Sequence, residues 1–186
     1  MKGLENVTTF EGHGRFEGPN SVSVGGELLE AEKIFINVGG RASIPPIPGI
    51  DDVDYLTNSS MMDVDYLPDH LIIIGGSYIS LEFAQMYRRF GSKVTVIERG
   101  PALISREDAD VSVTILEILT NDGVDVLLDT GVEGVSKEGD GVAIHTRVGD
   151  EAIEVVGSHL LVATGRRPNT DDLGLDRAGV RLDERG

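Results

Sequence analysis

The chain has 186 residues, the length of one to one and a half domains. With 40% apolar and 26% charged residues and 24 glycines it is no disordered tail, collagen-like repeat or coiled coil; a net charge of −16 argues against nucleic acid and anionic lipid as partners, and the lack of cysteine excludes disulfides, thiolate metal sites and a thiol nucleophile within it. There is no apolar run of about 18 residues and no charged-then-apolar leader, so neither a membrane span nor a signal peptide is expected, and the cytoplasm is the default location.

In chain order, Val7–Phe10 reads as a short strand. Ser21–Val24 and Glu27–Leu29 flank Gly25-Gly26, an alternation around a two-residue turn that predicts a hairpin. Lys33–Val38 is a short apolar run ending at Gly39-Gly40 and suits a buried strand. Ile44–Gly49 carries Pro45, Pro46 and Pro48, which exclude helix and central strand and predict an extended segment. The expected organisation is a β segment over 1–50, a linker over 51–67, the main domain over 68–170 and a polar, turn-rich return over 171–186.

The main domain is more legible. Leu71–Ile74 is apolar throughout, as a parallel strand covered on both faces must be. After Gly75-Gly76-Ser77, the residues Ile79, Phe83, Met86, Tyr87 and Phe90 recur at helical spacing, and Gly91 stands at a C-cap position. Lys93–Glu98 (KVTVIE) is the second strand. Ser105-x-x-Asp108 resembles a capping box, and Val111, Ile115, Ile118 and Leu119 give the next helix an apolar stripe ending at Asp122-Gly123. Val124–Leu128 is the third strand. The β-α-β-α-β order predicts a right-handed parallel sheet. Val132–Lys137, Val142–Arg147 and Ile153–Val156 then alternate as an antiparallel meander in place of a third helix, and His159–Ala163 is a last buried strand ending at Thr164-Gly165. The fold class is α/β: a Rossmann-like parallel sheet with a β-meander crossover in three layers, plus a small N-terminal β segment.

A strand that runs through a glycine-rich turn into a helix makes an anion site, because the first N–H groups of the helix are unpaired and its dipole is positive there. The dinucleotide fingerprint is Gly-x-Gly-x-x-Gly. This chain reads Gly75-Gly76-Ser77-Tyr78-Ile79-Ser80, with serine in the second and third glycine slots. Glu98 closes the second strand 23 residues after Gly75, where a carboxylate accepts hydrogen bonds from ribose hydroxyls and repels a 2′-phosphate. That favours NADH over NADPH, with Arg99 and Arg106 nearby softening the preference. Tyr78 and Glu82 share one helix face. Each has two readings: a ligand-facing pair, or a packing aromatic and an exposed helix charge. The four histidines show no metal spacing and no serine or cysteine partner is expected for them. Glu107, Asp108 and Asp110 read as helix-capping acids, and no metal site is expected.

These strings, together with Ile47-Pro48-Gly49, Leu67-Pro68, Phe90–Glu98 (FGSKVTVIE) and Val162–Asn169 (VATGRRPN), resemble the flavin-dependent pyridine nucleotide-disulfide oxidoreductases, in particular the mercuric reductase-like and dihydrolipoamide dehydrogenase-like branch. The resemblance implies a partial FAD domain over 1–50, an NAD(P)-binding domain over 68–170 and the start of the return to the FAD domain after it. It implies that Gly75, Gly76, Ser77, Tyr78 and Ile79 cradle the pyrophosphate, and that Tyr78 covers the flavin face where nicotinamide docks. Glu82 lies near the nicotinamide, Glu98 with Arg99 holds the adenosine ribose, and Thr164, Gly165 and Arg166 flank the nicotinamide end. No catalytic residue is expected in this chain. The family's FAD fingerprint, redox Cys-x4-Cys, second FAD segment and dimerisation domain are not in these residues. A fragment of a homodimeric enzyme is therefore expected, one that passes hydride from NADH or NADPH to FAD and on to a disulfide, metal ion or other acceptor, inactive alone. Two rivals remain: a cysteine-independent flavoenzyme of the ferredoxin-reductase or NADH-dehydrogenase kind, and a non-catalytic nucleotide-binding module.

Overall fold

The computed structural model describes residues 4–186. They form two compact units, one comprising the described residues up to Arg41 with Arg166–Gly186, the other Ala42–Gly165.

In the smaller unit, β1 (Gly14–Gly18), β2 (Ser21–Val24) and β3 (Glu27–Glu30) form an antiparallel sheet in that order. The predicted hairpin is β2–β3, with Val24 opposite Glu27 across Gly25-Gly26. Phe16, Leu173 and Leu175 make its small core, and half-buried Val22, Ile34 and Ala178 pack on it. Two expected strands are absent. Val7–Phe10 is irregular, and so is Lys33–Val38, where Phe35 is 89% exposed. An apolar run becomes a strand only when a neighbour completes its ladder. Here the bonds near its end are single ones, from the Asn169 side-chain amide to the Val38 carbonyl and from the Asn169 N–H to the Gly39 carbonyl. β1 escaped the sequence reading because its five residues include two glycines. β4 (Gly40–Ala42) follows.

The larger unit holds β5 (His70–Ile74), α1 (Tyr78–Phe90), β6 (Lys93–Ile97), α2 (Ala109–Asn121), β7 (Asp125–Leu127), the meander β8 (Val132–Glu138), β9 (Gly141–Val148) and β10 (Glu151–Gly157), and β11 (His159–Val162). The parallel sheet has the order β11-β5-β6-β7. Leu71, Ile72 and Ile73 are fully buried, because both sheet faces are covered. Leu71, Ile73, Val94 and Val96 face a core with Leu81, Ala84, Tyr87 and Leu119 from the two helices. Ile72, Ile74, Ile97, Leu160 and Val162 face Val135, Val142 and Ile144 of the meander. The three expected layers are thus helices, parallel sheet and antiparallel sheet. Asp122 and Gly123 end α2 as expected, their N–H groups donating to the Ile118 and Thr120 carbonyls, and α1 ends in a Schellman turn: Gly91 N–H donates to the Arg88 carbonyl and Ser92 N–H to that of Tyr87.

Four expectations change in this unit and after it. Residues 51–67, expected as a linker, lie within the larger unit, with Ile50 and Met61 buried and Leu56 bridging Leu161 of β11. The proline-rich stretch before them packs too: Ile47 is buried, and the Val135 N–H donates to the Pro48 carbonyl. In the supposed capping box Asp108 itself holds the N-cap position of α2, with Ser105 in the turn before it, and neither caps by side chain. The inward face of α2 is Ser112, Ile115, Leu116 and Leu119, whereas Val111 and Ile118 are exposed, because the helix carries apolar residues on more than one face and packing on the sheet selects one of them. Finally, Arg166–Pro168, expected within the main domain over 68–170, forms β12 of the smaller unit, paired with β4, and Arg41 forms a bidentate ion pair with Asp171 in the same unit.

His70 starts β5 with its Nε2 2.9 Å from Thr95 Oγ1. Partial burial and the nearby Lys93 hold its pKa below the ordinary histidine value, against smaller opposing effects of the Val156 backbone and Asp125. The folded protein therefore prefers neutral His70, and the unfolded chain binds that proton first as pH falls. Stability from this group is complete above pH ~6.5 and is lost below it. We expect the melting temperature of His70→Gln to gain on the wild type as pH drops from about 7 to 5, read by differential scanning fluorimetry; a constant gap would show that His70 titrates alike in both states.

Candidate functional site

The site lies at the C-terminal edge of the parallel sheet, where β5 continues to β6 on one side while β11 returns on the other. Ligands of open α/β sheets bind at such a switch point. Gly75 leaves β5 with φ +114°, its N–H donating to the Ile97 carbonyl at 2.9 Å. A Cβ at Gly75 would lie 2.6 Å from the Ala163 carbonyl oxygen, so only glycine lets the turn pass β11 this closely. Ser77 is the N-cap of α1 in extended conformation and its side chain makes no capping bond. The first N–H groups of α1 thus lack intrahelical acceptors, at the positive end of its dipole. Ser80, in the third slot of the fingerprint, is fully buried with Oγ 3.4 Å from the Ala163 carbonyl oxygen. The hydroxyl is accommodated because a backbone acceptor faces it, and helix and strand still pack closely.

Glu98 is the most constrained residue of the site. Gly76 N–H donates to its Oε2 at 2.6 Å and Gly100 N–H to its Oε1 at 2.7 Å. A Cβ on Gly76 would come within 2.9 Å of this carboxylate, so the side chain lies flat on the glycine turn. Its backbone is held as firmly, with Glu98 N–H on the Leu127 carbonyl and Thr130 N–H on the Glu98 carbonyl. Each oxygen retains a second acceptor direction, so two backbone bonds orient the carboxylate without exhausting it.

Gly75, Gly76, Ser77, Tyr78, Ile79 and Glu98 are therefore brought together, and Thr164 and Gly165 stand at the same sheet edge, the Ala163 N–H bonding the Ile74 carbonyl just before them. Thr164 Oγ1 donates to the Ser43 carbonyl at 2.9 Å. Arg99 is exposed beside Glu98. Glu82 is exposed one turn into α1, as the plainer reading of that residue has it. Tyr78 is 51% exposed and donates its hydroxyl hydrogen bond to Glu107. Arg166 belongs to the smaller unit, where it donates to the Gly40 carbonyl at 2.7 Å.

The sequence reading missed Gly100, Ile104 and Thr130. The segment after Glu98 folds back on the glycine turn, and Ile104 N–H donates to the Gly76 carbonyl at 2.8 Å with φ +39°, an uncommon conformation for a β-branched residue. Such non-local bonds have no sequence signature beyond the glycine at 100.

Two histidines do have serine partners, contrary to expectation. Ser136 Oγ is 2.8 Å from His145 Nε2, whose Nδ1 lies 3.4 Å from Glu154, and Ser158 Oγ is 3.0 Å from His159 Nδ1. The first set follows from the β8–β9–β10 register, in which His145 faces both Gly134 and Glu154. With His145 and Glu154 about half exposed on the sheet face, it is a cross-strand polar row. No group of three or more potential metal ligands occurs among the described residues, and no helix there is long and apolar enough to cross a membrane.

Layer order and the glycine turn at the switch point define a Rossmann-like α/β domain. The chain belongs to the pyridine nucleotide-disulphide oxidoreductase family, whose profile matches residues 1–186. It is 37% identical to the pyridine nucleotide-disulfide oxidoreductase RclA of Escherichia coli (strain K12), over 98% of this chain and 42% of that protein. It is 41% identical to a mercuric reductase of Streptomyces lividans, over 87% of this chain and 34% of that protein, and 35% identical to a dihydrolipoyl dehydrogenase of Thermus scotoductus, over 100% and 41%. The solved structure of the HOCl-induced flavoprotein disulfide reductase RclA from Escherichia coli superposes with a TM-score of 0.84 at 38% identity, covering 94% of this chain and 40% of that one. The chain thus spans well under half the length of these relatives.

Proposed function

We propose that this chain is the coenzyme-binding part of a flavin-dependent oxidoreductase that prefers NADH. The observation that carries the reading is the Glu98 carboxylate, fixed by Gly76 and Gly100 N–H groups across a glycine turn at the switch point. A ribose diol donates two hydrogen bonds and needs such an oriented acceptor pair, while a diphosphate needs the open N–H groups at the start of α1. The two requirements meet at one turn. The turn also fits the group chemically, since Ser77 makes no capping bond and the first N–H groups of α1 lack intrahelical acceptors.

When bound, NADH would supply a hydride for FAD, whose electrons the complete protein would pass on to a disulfide, metal ion or other acceptor. This chain's residues bind and orient. Ser77, Tyr78 and Ile79 offer backbone donors to the diphosphate, Glu98 aligns the ribose with Arg99 beside it, Thr164-Gly165 border the far end of the crevice, and Glu82 contributes toward the nicotinamide. The names of the relatives favour the disulfide-reductase branch over the cysteine-independent rivals.

Titration calorimetry of the chain with NADH tests the reading. Binding on the order of micromolar to millimolar is expected for a site of this kind. No heat at millimolar NADH would remove the coenzyme from this crevice.

A further inference from the structure

Two ties cross the mouth of the cradle. Ile104 N–H bonds the Gly76 carbonyl, and three residues later Glu107 accepts the Tyr78 hydroxyl hydrogen. Glu107 N–H in turn donates to the Ile104 carbonyl at 2.9 Å, closing the turn that presents the carboxylate. Ile104 is buried in its left-handed conformation, which persists only where surrounding contacts enforce it. The stretch Ile104–Glu107 is therefore a strap, anchored by backbone to the glycine turn and by one side chain to the first residue of α1. The positive end of α1 attracts this carboxylate for the same reason that it attracts a phosphate.

We propose that Glu107 is a latch on the cradle: its bond to Tyr78 holds the strap and the aromatic ring together across the start of α1, and a diphosphate enters when that bond opens. The inference rests on the coenzyme reading of the site. The contact is mutual, for Glu107 opposes ionisation of the phenol and raises the Tyr78 pKa, with Arg106 a smaller opposing influence. Glu107 is a positioning residue, acting through Tyr78 and through its own charge near the incoming phosphates.

The test uses the complete reading frame that contains this chain, with Glu107→Ala, Glu107→Gln and the double variant Tyr78→Phe/Glu107→Ala. NADH affinity is read by fluorescence titration and phenol ionisation by ultraviolet difference absorbance. Glu107→Ala is expected to bind NADH roughly two- to fivefold more tightly, the scale of an exposed charge interaction. Glu107→Gln, which keeps an acceptor without the charge, falls between it and the wild type. The double variant binds no tighter than Glu107→Ala, because both changes open one contact. In Glu107→Ala one tyrosine ionises at lower pH than in the wild type, and that transition is missing in the double variant. Unchanged or weaker NADH binding in both Glu107 single variants overturns the latch, and so does an unchanged phenol titration. Absence of NADH binding in every variant overturns the coenzyme reading and the gate with it, while the phenol titration still reports whether the contact exists.

Discussion

Alanine at Gly75 should lower the melting temperature sharply and abolish coenzyme binding. Gly75 has φ +114°, which an L side chain rarely adopts, and its missing Cβ faces backbone: the Ala163 carbonyl oxygen at 2.6 Å and carbon at 2.9 Å. A flexible side chain could turn aside; a carbonyl at the end of a paired parallel strand cannot. To make room, β11 must give up the bond between Ala163 N–H and the Ile74 carbonyl, or α1 must shift with Ser80, which packs on that same carbonyl. Backbone strain and displaced ladder together should cost about 2–4 kcal/mol. For a chain of this size that is a fall of roughly 5–15 °C in melting temperature, measured by calorimetry. A variant that melts like the wild type would show that β5 and β11 do not approach this closely.

Gly75 also shows why the strand–turn–helix was legible. The turn is local: five apolar residues or fewer, a glycine, then helical periodicity, all within one stretch of chain. The strands at 70–74, 93–97 and 159–162 were legible for the same reason, because strands buried on both faces must be apolar throughout. What failed depended on partners distant in sequence. Lys33–Val38 has the composition of a strand and no ladder beside it, so Phe35 is exposed. Ile47 and Ile50 lie in a proline-marked stretch that reads as a spacer, yet they fill the meander core against Val135. In α2 the apolar residues spread over more than one face, and only packing on the distant sheet selects Ile115, Leu116 and Leu119, leaving Val111 and Ile118 outside. At the site, position 98 marked an acid at a strand end, but the two N–H donors that fix it come from residues 76 and 100, and only the folded turn unites them.

Those two donors make Glu98 the position with the largest expected effect on coenzyme choice. On the proposed coenzyme reading, replacing it with arginine would remove the acceptor for the ribose diol and introduce a cation suited to a 2′-phosphate. It also deprives the Gly76 and Gly100 N–H groups of their partner and puts a longer side chain where Cγ of Glu98 already lies within 2.8 Å of the ideal Cβ position of Gly76. Loss of charged hydrogen bonds of this kind is worth about 1.5–3 kcal/mol, so NADH affinity should fall roughly 10- to 100-fold while NADPH loses much less, reversing the preference. Glu98→Gln separates the two causes. It keeps an oxygen acceptor for one of the N–H groups and removes the charge without adding a cation, so it should weaken NADH binding while improving NADPH less than arginine does. Paired titrations of both coenzymes against each variant decide the matter. If Glu98→Arg leaves the NADH-to-NADPH ratio where the wild type has it, the carboxylate serves only to staple the turn, and the ribose lies elsewhere.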